Sequence, residues 1–337
     1  MVGADSGARL GSGPGASAGE SVISVRGLRK SYGEHEVVRG IDVEVHRGEV
    51  FAFLGPNGAG KTTTVEILEG YRSRDAGEVG VLGEDPSSAD GRWRSRIGLV
   101  LQSCTMPAEL TVRELVELYA GYYPHPRPVA ETIDLVGLAD KRDARTKQLS
   151  GGQLRRLDVA LALIGDPELV FLDEPTTGFD PSARHHAWGV IANLRELGKT
   201  IFLTTHFMDE AQTLADRVAV MRAGEIIAVG APDELGGRDG RPAEIRFELP
   251  AEWTIEHLPD VPALERSTDG ARVLIRTDQP VRATAQITSW ALDHDVDLGA
   301  FSVSRPTLED VYLELTGEHE AVTSEAGEPA PVEVPAR

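Results

Sequence analysis

Apolar residues along this chain fall into short runs, and their spacing alternates between strand and helix. Val22, Ile23 and Val25 open a strand, and residues 41–45 alternate apolar with polar, the signature of a half-buried strand. Arg47, Gly48 and Glu49 turn the chain into five consecutive apolar residues, Val50–Leu54. A glycine-rich loop follows, and residues 62–68 then read as helix. The two half-polar strands ahead of the buried one predict a small antiparallel β lobe attached to the core. Residues 96–102 form another strand ending at Gln102. Residues 111–123 carry helically spaced apolar positions behind a capping box, Thr111 with Glu114. Pro124, Pro126 and Pro128 break that helix, 130–136 makes a second short one, and a third runs from Ser150 to about Ile164. Residues 103–165 thus form a helical insertion between strands.

Beyond it lie the apolar runs Leu169–Asp173 and Thr200–Thr205, then strands at 218–221 and 225–228. Glycine breaks at Gly236–Gly237 and Asp239–Gly240 separate a second segment. It has strands at 243–249 and 271–276, a helix at 281–293, a strand at 298–304 and a helix at 307–315. The predicted organisation is a leader over 1–20 rich in Gly, Ala and Ser, an α/β domain over 21–236, a small C-terminal α/β domain over 237–317, and an acidic tail over 318–337. Leader and tail lack the apolar residues to fold and are expected to be disordered.

Bulk composition narrows the function classes. With 337 residues, 41% of them hydrophobic, the chain can bury one large core and a small one. A net charge of −20 argues against coating nucleic acid or adhering to anionic lipid by charge. The single cysteine, Cys104, excludes an internal disulfide and suits a reducing compartment. No apolar run approaches the ~18–20 residues that a membrane-spanning helix needs, and the N-terminus has no apolar signal core. The expected location is cytoplasmic, so a role in transport requires a separate membrane-spanning subunit.

The candidate chemistry begins in the glycine-rich loop, Gly55, Pro56, Asn57, Gly58, Ala59, Gly60, Lys61, Thr62 and Thr63, with the spacing G-x-x-x-x-G-K-T. Between a buried strand and a helix this is a phosphate-binding P-loop. Glycines let backbone N–H groups converge on phosphate oxygens, and the helix dipole faces the anion. Lys61 would reach the terminal phosphates and the Thr62 hydroxyl would ligate Mg²⁺. Ser150, Gly151, Gly152 and Gln153 open the third helix of the insertion, a second anion-binding terminus. Asp173 and Glu174 follow an apolar strand, at the sheet edge where ligands of open α/β sheets bind. Asp173 suits Mg²⁺, and Glu174 suits the base that takes a proton from attacking water. His206 ends the next strand at the same edge and is assigned to the γ-phosphate. Tyr32 fits either an aromatic platform for a purine ring or a strand-end packing residue, and its position leaves both open. His185 and His186 have no acidic or cysteine partners in pattern and are read as solvated.

In order and spacing, this set resembles the nucleotide-binding subunit of ATP-binding cassette (ABC) transporters, over roughly residues 22–235. The pieces are GPNGAGKTT from Gly55, Gln102, LSGGQ at 149–153, LVFLDEP from Leu169, TGFD at 177–180 and His206. The resemblance implies a P-loop NTPase core with the β lobe and helical subdomain described above. It also implies ATP and Mg²⁺ as ligands, with Mg²⁺ held by Thr62, Gln102 and Asp173. Tyr32 then matches the adenine-stacking aromatic, and Asp180 joins the nucleotide site. Glu174, His206, Lys61 and Gln102 become the catalytic set. Two copies are implied to sandwich ATP, with Ser150, Gly151, Gly152 and Gln153 acting across the dimer, and a multi-span permease is the implied membrane partner. Leu154 and Phe179 depart from the family pattern without removing a catalytic group. Residues 302–317 resemble the C-terminal signature of daunorubicin-resistance exporter ATPases, which points to export of drug-like compounds. The competing readings are an importer ATPase, whose accessory domain is typically β-rich, and a soluble ABC ATPase of DNA repair or ribosomes. No sustained heptads separate Lys61 from Asp173, and the chain holds one cassette, so both soluble readings fit less well.

Overall fold

The computed structural model describes residues 19–101, 106–235, 242–305 and 312. Residues 1–18 of the predicted leader, the acidic tail, Gln102 and Cys104 fall outside them, as does the 307–315 helix apart from Tyr312. Strands β1 (Ser21–Tyr32) and β2 (His35–His46) form the expected antiparallel pair, followed by β3 (Val50–Leu54) and helix α1 (Lys61–Leu68). Strand β4 (Ala76–Val81) and helix α2 (Gly91–Arg94) come next, then β5 (Ile97–Val100). The helical insertion holds α3 (Val112–Ala120), α4 (Val129–Leu135) and α5 (Gly151–Leu163). Then follow β6 (Leu169–Asp173), α6 (Pro181–Glu196), β7 (Thr200–Thr205), α7 (Met208–Leu214), β8 (Arg217–Arg222) and β9 (Glu225–Gly230). The remaining elements are β10 (Ala243–Glu248), β11 (Glu265–Asp269), β12 (Arg272–Thr277), α8 (Pro280–Asp293) and β13 (Gly299–Ser304).

The central sheet runs β5-β6-β7-β3-β8-β9, parallel except for the antiparallel β8–β9 pair. Its inner strands are apolar on both faces because both faces are covered. On one side, Phe51, Phe53, Phe171 and Phe202 pack with the β lobe, α1 and the buried Trp93. On the other, Val50, Val170, Leu172, Ile201 and Leu203 pack with the helical insertion and α6. Phe202 sits 5.7, 5.6 and 5.6 Å from the rings of Phe51, Phe53 and Phe171 and so ties three strands together. The capping box predicted for α3 is present, with Glu114 and Thr111 bonding each other's backbone N–H.

Two strands have no counterpart in the hydrophobic pattern. The β lobe has a third strand, β4, paired with β1. Only Val79 and Val81 of β4 are buried, and its two glycines mask the alternation. Strand β11 (ERSTD) is the polar edge of the C-terminal sheet β11-β12-β10-β13, and backbone pairing alone defines it. Helix α8 covers one face of that sheet through Ala283, Ile287 and Trp290 against Ile245, Phe247 and Ile275. Tyr312 leaves this unit and lies buried with Ala52, Leu54, Ala211, Val218 and Leu235 of the first core. Because Phe202 holds the strands that carry the site, Phe202→Ala should cost about 3–5 kcal/mol and Phe202→Leu, which refills part of the space, less. Denaturant unfolding monitored by circular dichroism measures both.

Candidate active site

The register of the parallel strands assembles the site. Leu54 of β3 stands opposite Thr205 of β7, and Asp173 of β6 opposite Thr204. The residues just beyond these pairs, the 55–60 loop, Glu174 and His206, therefore emerge side by side. The loop is tightly specified. A Cβ on Gly55 would stand 2.4 Å from the Met221 carbonyl oxygen. One on Gly60, at φ +105, would stand 2.7 Å from that of Val37. Neither position admits a side chain, which is the close backbone wrapping that a phosphate cradle needs. Lys61 opens α1 and is 6% exposed, and its ammonium donates to the Gly55 and Pro56 carbonyls at 2.7 and 3.2 Å. Burial lowers its pKa, and the Glu174 and Asp173 carboxylates oppose that fall. Thr62 is exposed and Thr63 half-buried.

Glu174 lies at the centre of the charged groups. One carboxylate oxygen is 3.9 Å from Lys61 Nζ and 3.4 Å from His206 Nδ1, and the other accepts from Thr177 Oγ1 at 3.1 Å. Its backbone has φ +45, a region costly for a non-glycine residue. The Glu174 N–H is held there by Thr204, through Oγ1 at 3.0 Å and the carbonyl at 3.1 Å. The Thr204 hydroxyl donates to Asp173 Oδ1, so one threonine fixes both acids. Glu210, fully buried on α7, accepts from Thr176 Oγ1 at 2.9 Å and Trp188 Nε1 at 3.0 Å, which pins the start of the following turn. Thr177 enters the motif pattern only as the first residue of the TGFD turn, and Thr204 and Glu210 lie outside it. The doubled threonine ending β7 was the available signal for Thr204.

The Ser150 helix start is held by its own capping box. Ser150 and Gln153 cap each other, Gln153 N–H donating to Ser150 Oγ at 3.3 Å and Ser150 N–H to Gln153 Oε1 at 2.9 Å. With Gly151, Gly152, Glu174 and Asp180, Ser150 lines an open cleft of about 620 Å³. Asp180 caps α6 by accepting from Ala183 N–H at 2.9 Å. Lys61's polar contacts are instead the loop carbonyls and Glu174. Tyr32 ends β1 at 43% exposure, with the Arg72 guanidinium 5.3 Å and the Lys30 ammonium 5.7 Å from its ring. His185 and His186 are exposed, as expected.

Comparison with known proteins decides the family. A family model described as ABC transporter matches residues 38–177. One described as the C-terminal domain of ABC transporter domain-containing protein-like chains matches residues 243–307. The chain is 39% identical over 322 residues to Nod factor export ATP-binding protein I of Ralstonia nicotianae, covering 90% of this chain and 97% of that one. The protein of the same name from Rhizobium sp. is 40% identical over 303 residues, covering 88% and 97%. This chain belongs to the ATP-binding cassette family of ABC transporters. As a cassette it is an ATPase, the ATP-hydrolysing subunit of a transporter. The solved structure of an ABC transporter cassette in its ADP conformation superposes with TM-score 0.57 at 25% identity, covering 64% of this chain and 92% of that one. A dimeric cassette in a post-hydrolysis state bound to ADP and Pi gives TM-score 0.56 at 25% identity, covering 62% and 98%.

A further acid flanks the cassette's site. Burial pushes Glu69, at the end of α1, up to about 8, and the Asp173 and Glu66 carboxylates add to the rise. A carboxyl raised on folding binds more protons in the native state, so its contribution is fully present below its ordinary value near 4.5 and lost as pH rises through about 8. Glu69→Gln should therefore remove a fall in stability between those limits, read from denaturant midpoints across that range.

Proposed function

We propose that this cassette powers an exporter of hydrophobic, drug-like compounds, working as a pair of copies on a separate membrane-spanning permease. The observation that carries the hydrolytic part is Glu174, held by Thr204 in a strained conformation beside Lys61 and His206. ATP would lie along the 55–63 loop, where glycines leave room for backbone N–H donors and Lys61 meets the charge of the terminal phosphates. Glu174 takes the proton from attacking water, and His206 and Lys61 steady the charge that develops. Thr62, Asp173 and Gln102 would hold Mg²⁺, oxygen donors suited to a hard cation, which when bound offsets phosphate charge.

The dimeric reading is supported by the cleft at the Ser150 helix start, whose lining includes no residue of the 55–63 loop. Ser150, Gly151 and Gly152 open onto a cleft beside Glu174, and a second copy facing head to tail would bring them to the phosphate bound by its partner. The described residues include no helix long and apolar enough to cross a membrane, in keeping with a separate permease. A second cleft, of about 560 Å³ and lined by Glu69, Tyr71, Leu101, Tyr119 and Tyr123, lies between the core and the helical insertion. It supports docking there, since the strand leading to Gln102 and the signature helix both border it. Export is favoured by the relatives named as export proteins, and drug-like cargo by the 302–317 resemblance.

Glu174→Gln should lower ATP turnover by about 100-fold or more while leaving ATP-bound dimers; near-wild-type turnover would remove Glu174 from the role of base. Lys61→Ala should weaken nucleotide binding in equilibrium dialysis, and unchanged affinity would contradict the loop assignment. The transport reading is tested by purifying the tagged chain from gently solubilised membranes with mass spectrometry. A single multi-span protein in stoichiometric amount supports it. Ribosomes, DNA or no partner would overturn it and leave the ATPase intact.

A further inference from the structure

Arg155 lies on α5, little more than one turn beyond the Ser150 cap, and its side chain is 12% exposed. Its guanidinium reaches two segments remote in sequence, at Leu101 and at Asp173–Pro175. Nε donates to the Pro175 carbonyl at 3.2 Å and Nη2 to the Asp173 carbonyl at 3.0 Å. Nη1 donates to the Leu101 carbonyl and to Asp158 Oδ2, the latter at 3.1 Å. Leu101 and Asp173 stand where the adjacent parallel strands β5 and β6 run out. A carbonyl at such an end has no partner in the sheet ladder and takes its donor from elsewhere. A planar fork with five N–H groups serves all four acceptors in one fixed geometry, whereas an ammonium has three donors on a flexible stem. Asp158, itself 7% exposed, balances the charge and orients the fork.

We propose that Arg155 is a positioning residue that locks the Ser150–Gly152 helix start to the strand bearing Asp173 and to the strand leading to Gln102. The inference rests on the two-copy reading above and adds a device to it. The end of α5 that would meet the partner's nucleotide and the acids that act on the chain's own nucleotide are held by one side chain. A displacement at either end is then transmitted to the other without passing through the loop that binds ATP.

The test compares the full-length chain with Arg155→Lys and Arg155→Ala, each with and without Glu174→Gln, by melting temperature, ATP affinity and steady-state kinetics. Arg155→Lys should keep the fold and bind ATP within about threefold of the parent, while kcat falls about 10- to 100-fold, the cost of misplacing groups by about an ångström. In the Glu174→Gln background, either Arg155 substitution should abolish the ATP-dependent dimer seen by light scattering. Wild-type kcat in Arg155→Lys, or a kcat loss matched by equal losses of affinity and melting temperature, would overturn the proposal. Should Arg155→Ala fail to fold, Arg155→Lys decides alone. If Glu174→Gln itself forms no ATP-dependent dimer, the two-copy reading fails, while the split between kcat and affinity still judges Arg155.

Discussion

Everything at this site depends on the parallel register of β3, β6 and β7. Hydrogen bonding fixes Leu54 against Thr205 and Asp173 against Thr204. A slip of one residue would turn every side chain to the opposite face. It would turn Asp173 from the face it shares with Phe171 to that of Val170 and Leu172, or carry Glu174 away from Lys61. The phenylalanine packing around Phe202 therefore sets the chemistry without touching a ligand, because it holds the three strands in that register.

Within that frame the site holds strain and charge together. Glu174 keeps a left-handed backbone because Thr204 supplies two acceptors for its N–H, and the same threonine bonds Asp173. Burial lowers the Lys61 pKa while the two acids raise it, so the ammonium is held among opposing influences that an anionic ligand would tip towards the charged form. Glu210 extends the order to the turn after Glu174. The chain thus has a hydrogen-bonded acid pair, a tightly wrapped loop and an open cleft lined by Glu174 and the Ser150 helix start.

Much of this was legible from residue order because each chemical group follows an apolar run. Asp173 ends a buried strand, Glu174 and His206 directly follow one, and Lys61 follows the loop after one, so a reading of strand ends finds them together. The groups that position them left weaker traces. Thr204 looks like ordinary strand sequence, and its role appears only when β6 and β7 are paired. Arg155 acts on backbone carbonyls, which carry no sequence signal at the receiving end. Strands β4 and β11 were missed because glycines and polar residues hide elements defined by backbone pairing. Tyr32 gains two flanking cations that its position in the sequence did not suggest.

The central claim, that one copy's Ser150–Gly152 helix start completes the ATP site of another, is tested most directly by mixing two inactive variants. One carries Lys61→Ala in the loop. The other carries Gly151→Asp, at an exposed position where a Cβ meets nothing within 4 Å and folding should be spared. A mixed pair would hold one site with an intact loop and an intact signature, so the account predicts ATPase activity in the mixture that neither variant shows alone. A mixture no more active than the sum of its parts would contradict it.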